Sequence, residues 1–321
     1  MRKDMEYKNI KEIPTEALSM ITGKLLGDAN LTIQNGRKSR LRFSHKIEDF
    51  SWCDYCYRSL CSYLPLNPPI YRKVKDPRIK AGFTEHFYVQ SKTSPLIELL
   101  KPYWYNGNKK VIPNTIIELA MNPQCLAWWY QDDGHLLKKE DKLKKVILST
   151  DYFTHEENLY LINTLKSKFQ LMFKLDQQNR LILYDQPQVM YFLSLVAPYV
   201  ILDRKKPPVN STYQIISSKR TTVYLPKNLI STKPTGTIIE AMKSLPCLIQ
   251  LTQSNEGLKT LFFTMKEMNP SEEYSAYQIT IPLDSLLLIN QLQQKTGFRN
   301  SKIIELCFLF KNGHLQRDDH Q

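Results

Sequence analysis

Two aspartates end two similar apolar runs in this sequence. ITGKLLGDANL, Ile21 to Leu31, places Asp28 after a helix-compatible stretch, and LAWWYQDDGHL, Leu126 to Leu136, places Asp133 at the same relative point 105 residues later. One aspartate after an apolar run is ordinarily a helix end or a turn; the repetition is what points to chemistry. Carboxylates brought together repel unless a cation lies between them, and Mg²⁺ favours carboxylate, carbonyl and water oxygens. Such an ion can activate water and stabilise the attacking and leaving oxygens of a phosphodiester. The chain carries a formal net charge of +13, which favours a polyanionic partner, most simply nucleic acid. Together these features imply metal-assisted hydrolysis of a nucleic-acid backbone.

The two acids meet only if two similar halves pack about a pseudo-twofold axis and bring equivalent helix ends together. Gly23 and Gly27, at i and i+4, would permit close backbone approach; Trp128 and Asp132 occupy the matching positions of the second run, where close packing is less obvious. After the first run, Asn35-Gly36 within LTIQNGRKSRLRFSH predicts a hairpin turn. Alternation puts Leu31, Ile33, Leu41 and Phe43 on one face and Thr32, Gln34, Arg40 and Arg42 on a positive, donor-rich face. After the second run, HLLKKEDKLKKVILSTD predicts a hairpin with a lysine-rich connection. Helices are expected around Glu48 to Leu64 and Thr154 to Phe169, the latter capped by Thr154 with Glu156 and Glu157 in its first turn. GFTEHFYVQS and SPLIELLKPYW, then FKLDQQNRLILYD and QVMYFLSLVAPYV, close the halves, so each reads αββαββα.

The charge is uneven. From Ser217 onward there are 12 basic and 9 acidic residues, a net +3, leaving +10 for the first 216 residues. The main polyanion contact is therefore expected in the first two-thirds. No apolar stretch is long enough to span a bilayer, and the charged start MRKDMEYKNIKE lacks a signal-peptide core. An intracellular protein with its six cysteines as thiols is expected. Cys53, Cys56 and Cys61 invite a zinc reading, but no fourth ligand lies at suitable spacing.

The two runs resemble the motifs of the LAGLIDADG homing endonucleases, closest to the single-chain branch with LGD and WFMDDG motifs. RLRFSH, NKKVIPNTI, ILSTDYFTHEENLYLI, LKSKFQL and VAPYVI extend the resemblance over Ile13 to Pro208. It implies an α+β fold in which two pseudo-symmetric αββαββα subdomains form a DNA-binding saddle with strands in the major groove. It also implies Mg²⁺ bound by Asp28 and Asp133, with backbone help from Gly27 and Asp132. Lys110, and in the second half Lys206 or its neighbour Lys205, would support an active-site water network. Ala29 departs from the motif's final Gly, and Gln131 replaces Met at a site expected to be buried or half-buried. Thr32, Gln34, Arg37, Arg40 and Arg42 are the first-half candidates for DNA contact; Lys138, Lys139, Lys142, Lys144 and Lys145 are those of the second. Arg and Gln suit base readout, whereas these lysines suit phosphate.

Beyond KKPPVNSTYQ the texture changes. Tyr277 to Phe310 reads strand, helix, Gly turn, helix, with Asp284 expected to cap the first helix, Gly297 to end it, and Asn300 or Ser301 to cap the second. It resembles a ribbon–helix–helix DNA-binding unit, with a small structural helical hairpin as the competing reading. VYLP at Val223 echoes ITIP at Ile279, and TIIEAM at Thr237 echoes KIIELC at Lys302, with nine fewer residues between them in the first copy. A degenerate repeat could pair its strands within the chain or between two chains, exposing Thr222, Tyr224, Gln278 and Thr280 to a groove. The expected domains are 1–115 and 116–208 for the two subdomains, a linker at 209–219, the tail at 220–312 and a disordered end at 313–321.

The leading expectation is a sequence-specific, Mg²⁺-dependent homing endonuclease that makes double-strand breaks with short 3′ overhangs. Its nuclease core would be monomeric and its partner double-stranded DNA, with no membrane association. The alternative is a non-cleaving binder on the same fold, either an RNA-splicing maturase for an intron RNA or a DNA-binding regulator.

Overall fold

The computed structural model describes residues 7–32, 36–139, 142–201, 220–230, 232–267 and 273–315. Gln34, Asn35, Lys205, Lys206 and the expected linker lie outside the described residues, as do the side chains of Lys139 and Lys142.

The first half runs α1 (Thr15–Leu26), β1 (Asn30–Leu31), β2 (Leu41–Lys46), α2 (Phe50–Leu60), β3 (Ile70–Lys75), β4 (Phe83–Gln90) and α3 (Pro95–Trp104). A two-stranded ribbon, β5 (Tyr105–Asn106) and β6 (Lys109–Lys110), and α4 (Asn114–Ala120) lead to the second half. There the order is α5 (Pro123–Asp133), β7 (Gly134–Lys139), β8 (Lys142–Leu148), α6 (His155–Phe169), β9 (Lys174–Leu175), β10 (Leu181–Leu183) and α7 (Gln186–Val196). The sheet orders β1-β2-β4-β3 and β7-β8-β10-β9 match, and each half is an αββαββα unit.

Local chemistry explains the elements. Thr154 and Glu157 close a capping box at the start of α6. Asn122 accepts the Cys125 N–H at the start of α5, with Pro123 as its first residue. In β2, Leu41, Phe43 and His45 face inward by period-2 alternation, and Phe43 pairs with Val89 of β4. The expected Glu48 to Leu64 helix is a 3₁₀ turn, Ile47–Asp49, followed by the shorter α2.

Helix α1 is buried from Ala17 to Leu26 and packs along α5, which is buried from Cys125 to Asp132. Being buried on every side, the two form the centre of their unit. A Cβ on Gly23 would come within 2.6 Å of both the Cys125 carbonyl oxygen and Trp128 Cβ, and one on Gly27 within 2.4 Å of Asp132 Cβ. The close approach is thus one-sided: glycines of α1 receive larger residues of α5. Ser19 Oγ donates to the Ala120 carbonyl at 3.0 Å and accepts from Asn122 Nδ2 at 2.7 Å, which fixes the sliding position.

Contacts divide the chain into Met1–Leu137, Val146–Leu183 and Val196–Pro207 as one compact unit, and Lys138–Lys145, Tyr184–Leu195 and Pro208–Gln321 as another. One boundary falls between Pro207 and Pro208, but Lys138–Lys145 and Tyr184–Leu195 group with the tail; within that unit Tyr191 of α7 stacks on Phe262 at 4.2 Å between ring centroids.

The tail comprises β11 (Arg220–Pro226), α8 (Pro234–Met242), α9 (Leu245–Leu251), α10 (Asn255–Glu267), β12 (Tyr274–Thr280), α11 (Leu283–Thr296) and α12 (Asn300–Lys311). Strands β11 and β12 pair antiparallel within the chain, from Arg220 opposite Thr280 to Pro226 opposite Tyr274. Val223, Leu225 and Ile279 turn into a core with Ile238, Ile289, Ile303 and Cys307. Thr222, Tyr224, Gln278 and Thr280 are exposed. Only a 3₁₀ turn, Lys227–Leu229, follows β11, and α8 packs against α12, as the echo of TIIEAM in KIIELC implies. Three corrections apply. Asp284 lies inside the first turn of α11 after Pro282, so it does not cap it. Arg299 precedes α12, and the Ser301 hydroxyl instead accepts the Tyr224 N–H at 3.0 Å. Helices α9 and α10 were not anticipated. Gly297 does end α11, at φ 71°.

Gly23→Ala should force α1 and α5 apart and cost about 1–3 kcal/mol, read as a lowered denaturation midpoint at unchanged m-value.

Candidate active site at the paired helix ends

Asp28 follows the C-terminus of α1, and Asp133 is the last residue of α5. Beneath them lies a buried ion pair. Lys24 Nζ is 2.8 Å from each oxygen of Asp132, and both side chains are inaccessible to solvent. Its third donor goes to His45 Nε2 at 2.9 Å, so all three ammonium donors are used. Asp132 also accepts the Trp52 indole N–H at 2.7 Å and the Asp28 backbone N–H at 3.1 Å. Those four bonds fill the sites a carboxylate offers. Burial is the largest single influence and would lower the Lys24 pKa, but the charges of Asp132, Cys56 and Asp28 and the hydrogen bond to Asp132 together outweigh it and hold the ammonium above its usual range. Burial, then the Lys24 charge, lowers the His45 pKa and keeps that ring neutral.

Among the described residues, Asp28, His45 and Asp132 place ligand-type atoms within 4.8 Å of one another. That trio does not fit a cation, because Lys24 already occupies the place one would take and Asp132 has no lone pair free. Asp28 and Asp133 fit better. The Asp28 side chain is 30% exposed, with one oxygen facing His45 Nδ1 at 3.1 Å. Burial, then the charges of Asp28 and Asp132, raises the Asp133 pKa to about 7. Negative charge is therefore in excess where Asp133 stands, and a hard divalent cation would relieve it through oxygen donors.

Asp133 borders a cleft of about 600 Å³, lined also by Gly27, Asn30, Thr32, Tyr105, Lys110 and Tyr152. Lys110, on β6, donates to the Ala29 carbonyl at 2.9 Å, and burial lowers its pKa to about 8. Gln131 is buried and bonded to the Tyr199 carbonyl and the Ile201 N–H. The Asp133 carbonyl accepts the Ser149 N–H at 3.0 Å.

The expected DNA-contact residues are spread over the sheets. Arg37 and Arg40 are exposed, Thr32 and Arg42 half-buried, and the Arg42 guanidinium lies 5.4 Å from the Tyr88 ring centroid. Lys144 is exposed, and Lys138 and Lys145 are half-buried. The sequence reading passed over β3, where Tyr71, Arg72, Lys73 and Lys75 are all exposed. It also passed over Lys24, His45 and Trp52. A lysine inside an apolar glycine-bearing run, and a histidine at a core position of a strand, could have flagged the first two. The six cysteines are free thiols, and no helix among the described residues is long and apolar enough to cross a membrane.

Residues 18–193 match the LAGLIDADG DNA endonuclease family. The chain is 26% identical over 209 residues to the probable intron-encoded endonuclease 1 of Wickerhamomyces canadensis, covering 62% of this chain and 85% of that protein. It is 27% identical over 215 residues to the cytochrome b mRNA maturase bI2 of Debaryomyces hansenii, covering 61% and 74% respectively. Among solved structures, the homing endonuclease I-WcaI bound to its DNA recognition sequence superposes with a TM-score of 0.54 at 22% identity, covering 64% of this chain and 90% of that one.

Lys24→Met strands a buried carboxylate and should destabilise the fold by about 3–5 kcal/mol. Adding Asp132→Asn should recover most of that loss, since neither charge then remains; equilibrium urea unfolding measures both.

Proposed function

Because the chain belongs to the LAGLIDADG DNA endonuclease family, we propose that it cuts double-stranded DNA at a defined sequence with Mg²⁺, as a homing endonuclease leaving short 3′ overhangs. The observation that carries this reading is the division of labour among three acids. Asp132 is saturated by Lys24, Trp52 and the Asp28 N–H, which leaves the carboxylates of Asp28 and Asp133 to hold a cation beside the cleft. The Gly27 and Asp132 carbonyls would add backbone oxygens. The cation supplies charge stabilisation at the phosphate and a more acidic water. Lys110, anchored on the Ala29 carbonyl and titrating near neutrality, suits the task of moving a proton through water beside the scissile phosphate. Lys206 would serve the second half.

On the first sheet, Thr32, Arg40 and Arg42 share a face with Arg72 of β3, and this face is proposed to meet bases, as are Arg37 and, from its residue type, Gln34. The lysines of 138–145 are assigned to phosphates. The solved neighbour's bound DNA supports a DNA partner. A second reading, binding of an intron RNA as a maturase, is favoured by the similarity to the Debaryomyces hansenii protein. The tail is proposed to act as a second DNA-binding module of the ribbon–helix–helix kind. An exposed two-stranded ribbon fits the major groove, and this one presents Thr222, Tyr224, Gln278 and Thr280.

Selection of cleaved sites from a DNA library with Mg²⁺ present tests the nuclease. Asp28→Asn and Asp133→Asn should each lose cutting while retaining binding. Wild-type protein that binds DNA tightly yet never nicks it, or that instead binds intron RNA and speeds its splicing, would defeat the endonuclease reading.

For the tail, Gln278→Ala should weaken binding to the full target by about 1–3 kcal/mol and leave the cut positions unchanged. Fluorescence anisotropy on long and truncated target duplexes measures this, and equal losses on both duplexes would remove the tail from target recognition.

A further inference from the structure

Resting on the reading of Asp28 as a metal ligand, we propose that His45 is a positioning residue that holds one oxygen of Asp28 and so orients the carboxylate toward the cation, with Lys24 setting its tautomer. Hydrogen-bond valence fixes the tautomer of the ring. Lys24 Nζ lies 2.9 Å from His45 Nε2, and an ammonium has donors only. Nε2 must therefore accept, so the ring proton resides on Nδ1. Nδ1 is 3.1 Å from Asp28 Oδ2 and donates to it. From the other side, Asp132 Oδ2 receives the Asp28 backbone N–H at 3.1 Å. Main chain and side chain of Asp28 thus both hang from one buried frame of Asp132, Lys24 and His45, to which Trp52 is also bonded.

The ring is not free to swap its ends. It packs beside Phe43 and Trp52, with centroids 6.0 and 6.5 Å away. A flip would set a C–H against the ammonium or the carboxylate and lose both hydrogen bonds. A core position of β2 would be filled more simply by an apolar residue, as Leu41 and Phe43 fill the neighbouring ones on the same face. A polar ring there is accounted for by its two bonds, one to the ammonium and one to the carboxylate. His45 is buried, whereas Asp28 reaches solvent, so the exposed ligand is aimed from the protein side. Groups that orient metal ligands in this way typically contribute 10–100-fold to metal affinity or activity. Asp132, by the same bonds, sends the position of the second half into the ligand of the first, which couples the two halves at the site.

Three full-length variants test the proposal: His45→Phe, which keeps ring volume and removes both bonds; His45→Asn, which keeps a donor near the Nδ1 position; and Lys24→Met/Asp132→Asn, which removes the ammonium without stranding a charge. In the wild type, ¹⁵N NMR of the His45 ring should show a protonated Nδ1 and a bare Nε2. The double variant should lose that fixed preference. Mn²⁺ binding followed by EPR should weaken about 10–100-fold in His45→Phe and largely recover in His45→Asn. Single-turnover cleavage of a selected target should fall and recover in step, at higher half-saturating Mg²⁺, with DNA affinity in metal-free buffer unchanged. A ring proton found on Nε2, or His45→Phe with wild-type Mn²⁺ affinity, overturns the proposal. If the wild type cuts no DNA, the endonuclease reading fails separately, and the NMR and Mn²⁺ results still decide the role of His45.

Discussion

The contact between Lys24 and Asp132 is the constraint around which the centre of the first unit is arranged. Two opposite charges, both without solvent access, lie at the interface of α1 and α5. Removing ions from water is costly, and attraction between them repays that cost only when every remaining donor and acceptor is met. Here every one is met: three donors on the ammonium and four bonds to the carboxylate. A pair that needs so many partners tolerates little sliding of α1 on α5. The glycine contacts at Gly23 and Gly27 set the separation of the helices, and the ion pair sets their phase.

From that arrangement follows the different fate of three neighbouring acids. Asp132 is consumed in holding the interface. Asp28 is tethered through its N–H to Asp132 and through its carboxylate to His45, yet stays partly open. Asp133 is left with a proton affinity raised to about 7 by burial and by the other two charges. The site therefore stores an electrostatic conflict that a divalent cation would resolve. Lys110, whose ammonium is bound to the Ala29 carbonyl, is the other titratable group at the cleft with affinity near neutrality, at about 8.

Much of this was legible in the sequence because it rests on local period and spacing. The αββαββα order, the N-cap at Thr154, the alternation of β2 and the equivalence of Asp28 with Asp133 are each carried by residues close in sequence. So was the match of Asp132 to Gly27 in the other half. What bonds it was not legible: Lys24, Trp52 and Asp132 are brought together across separations of 80 to 108 residues. No periodicity reports such a contact. The exposed β3 was missed because a strand with no buried face lacks the alternation that marks half-buried strands. In the tail, the repeated VYLP and ITIP anticipated the pairing of β11 with β12, whereas α9 and α10 have no counterpart in the repeat to announce them.

The most direct test of the central claim is the position of a bound ion. Crystals of the protein with target DNA and Mn²⁺, examined by anomalous scattering, locate it without reference to activity. This account predicts density held by the carboxylates of Asp28 and Asp133, with Lys24 still paired to Asp132 and His45 outside the coordination sphere. An ion ligated by Asp132 and His45 nitrogen, with Lys24 displaced, would contradict it.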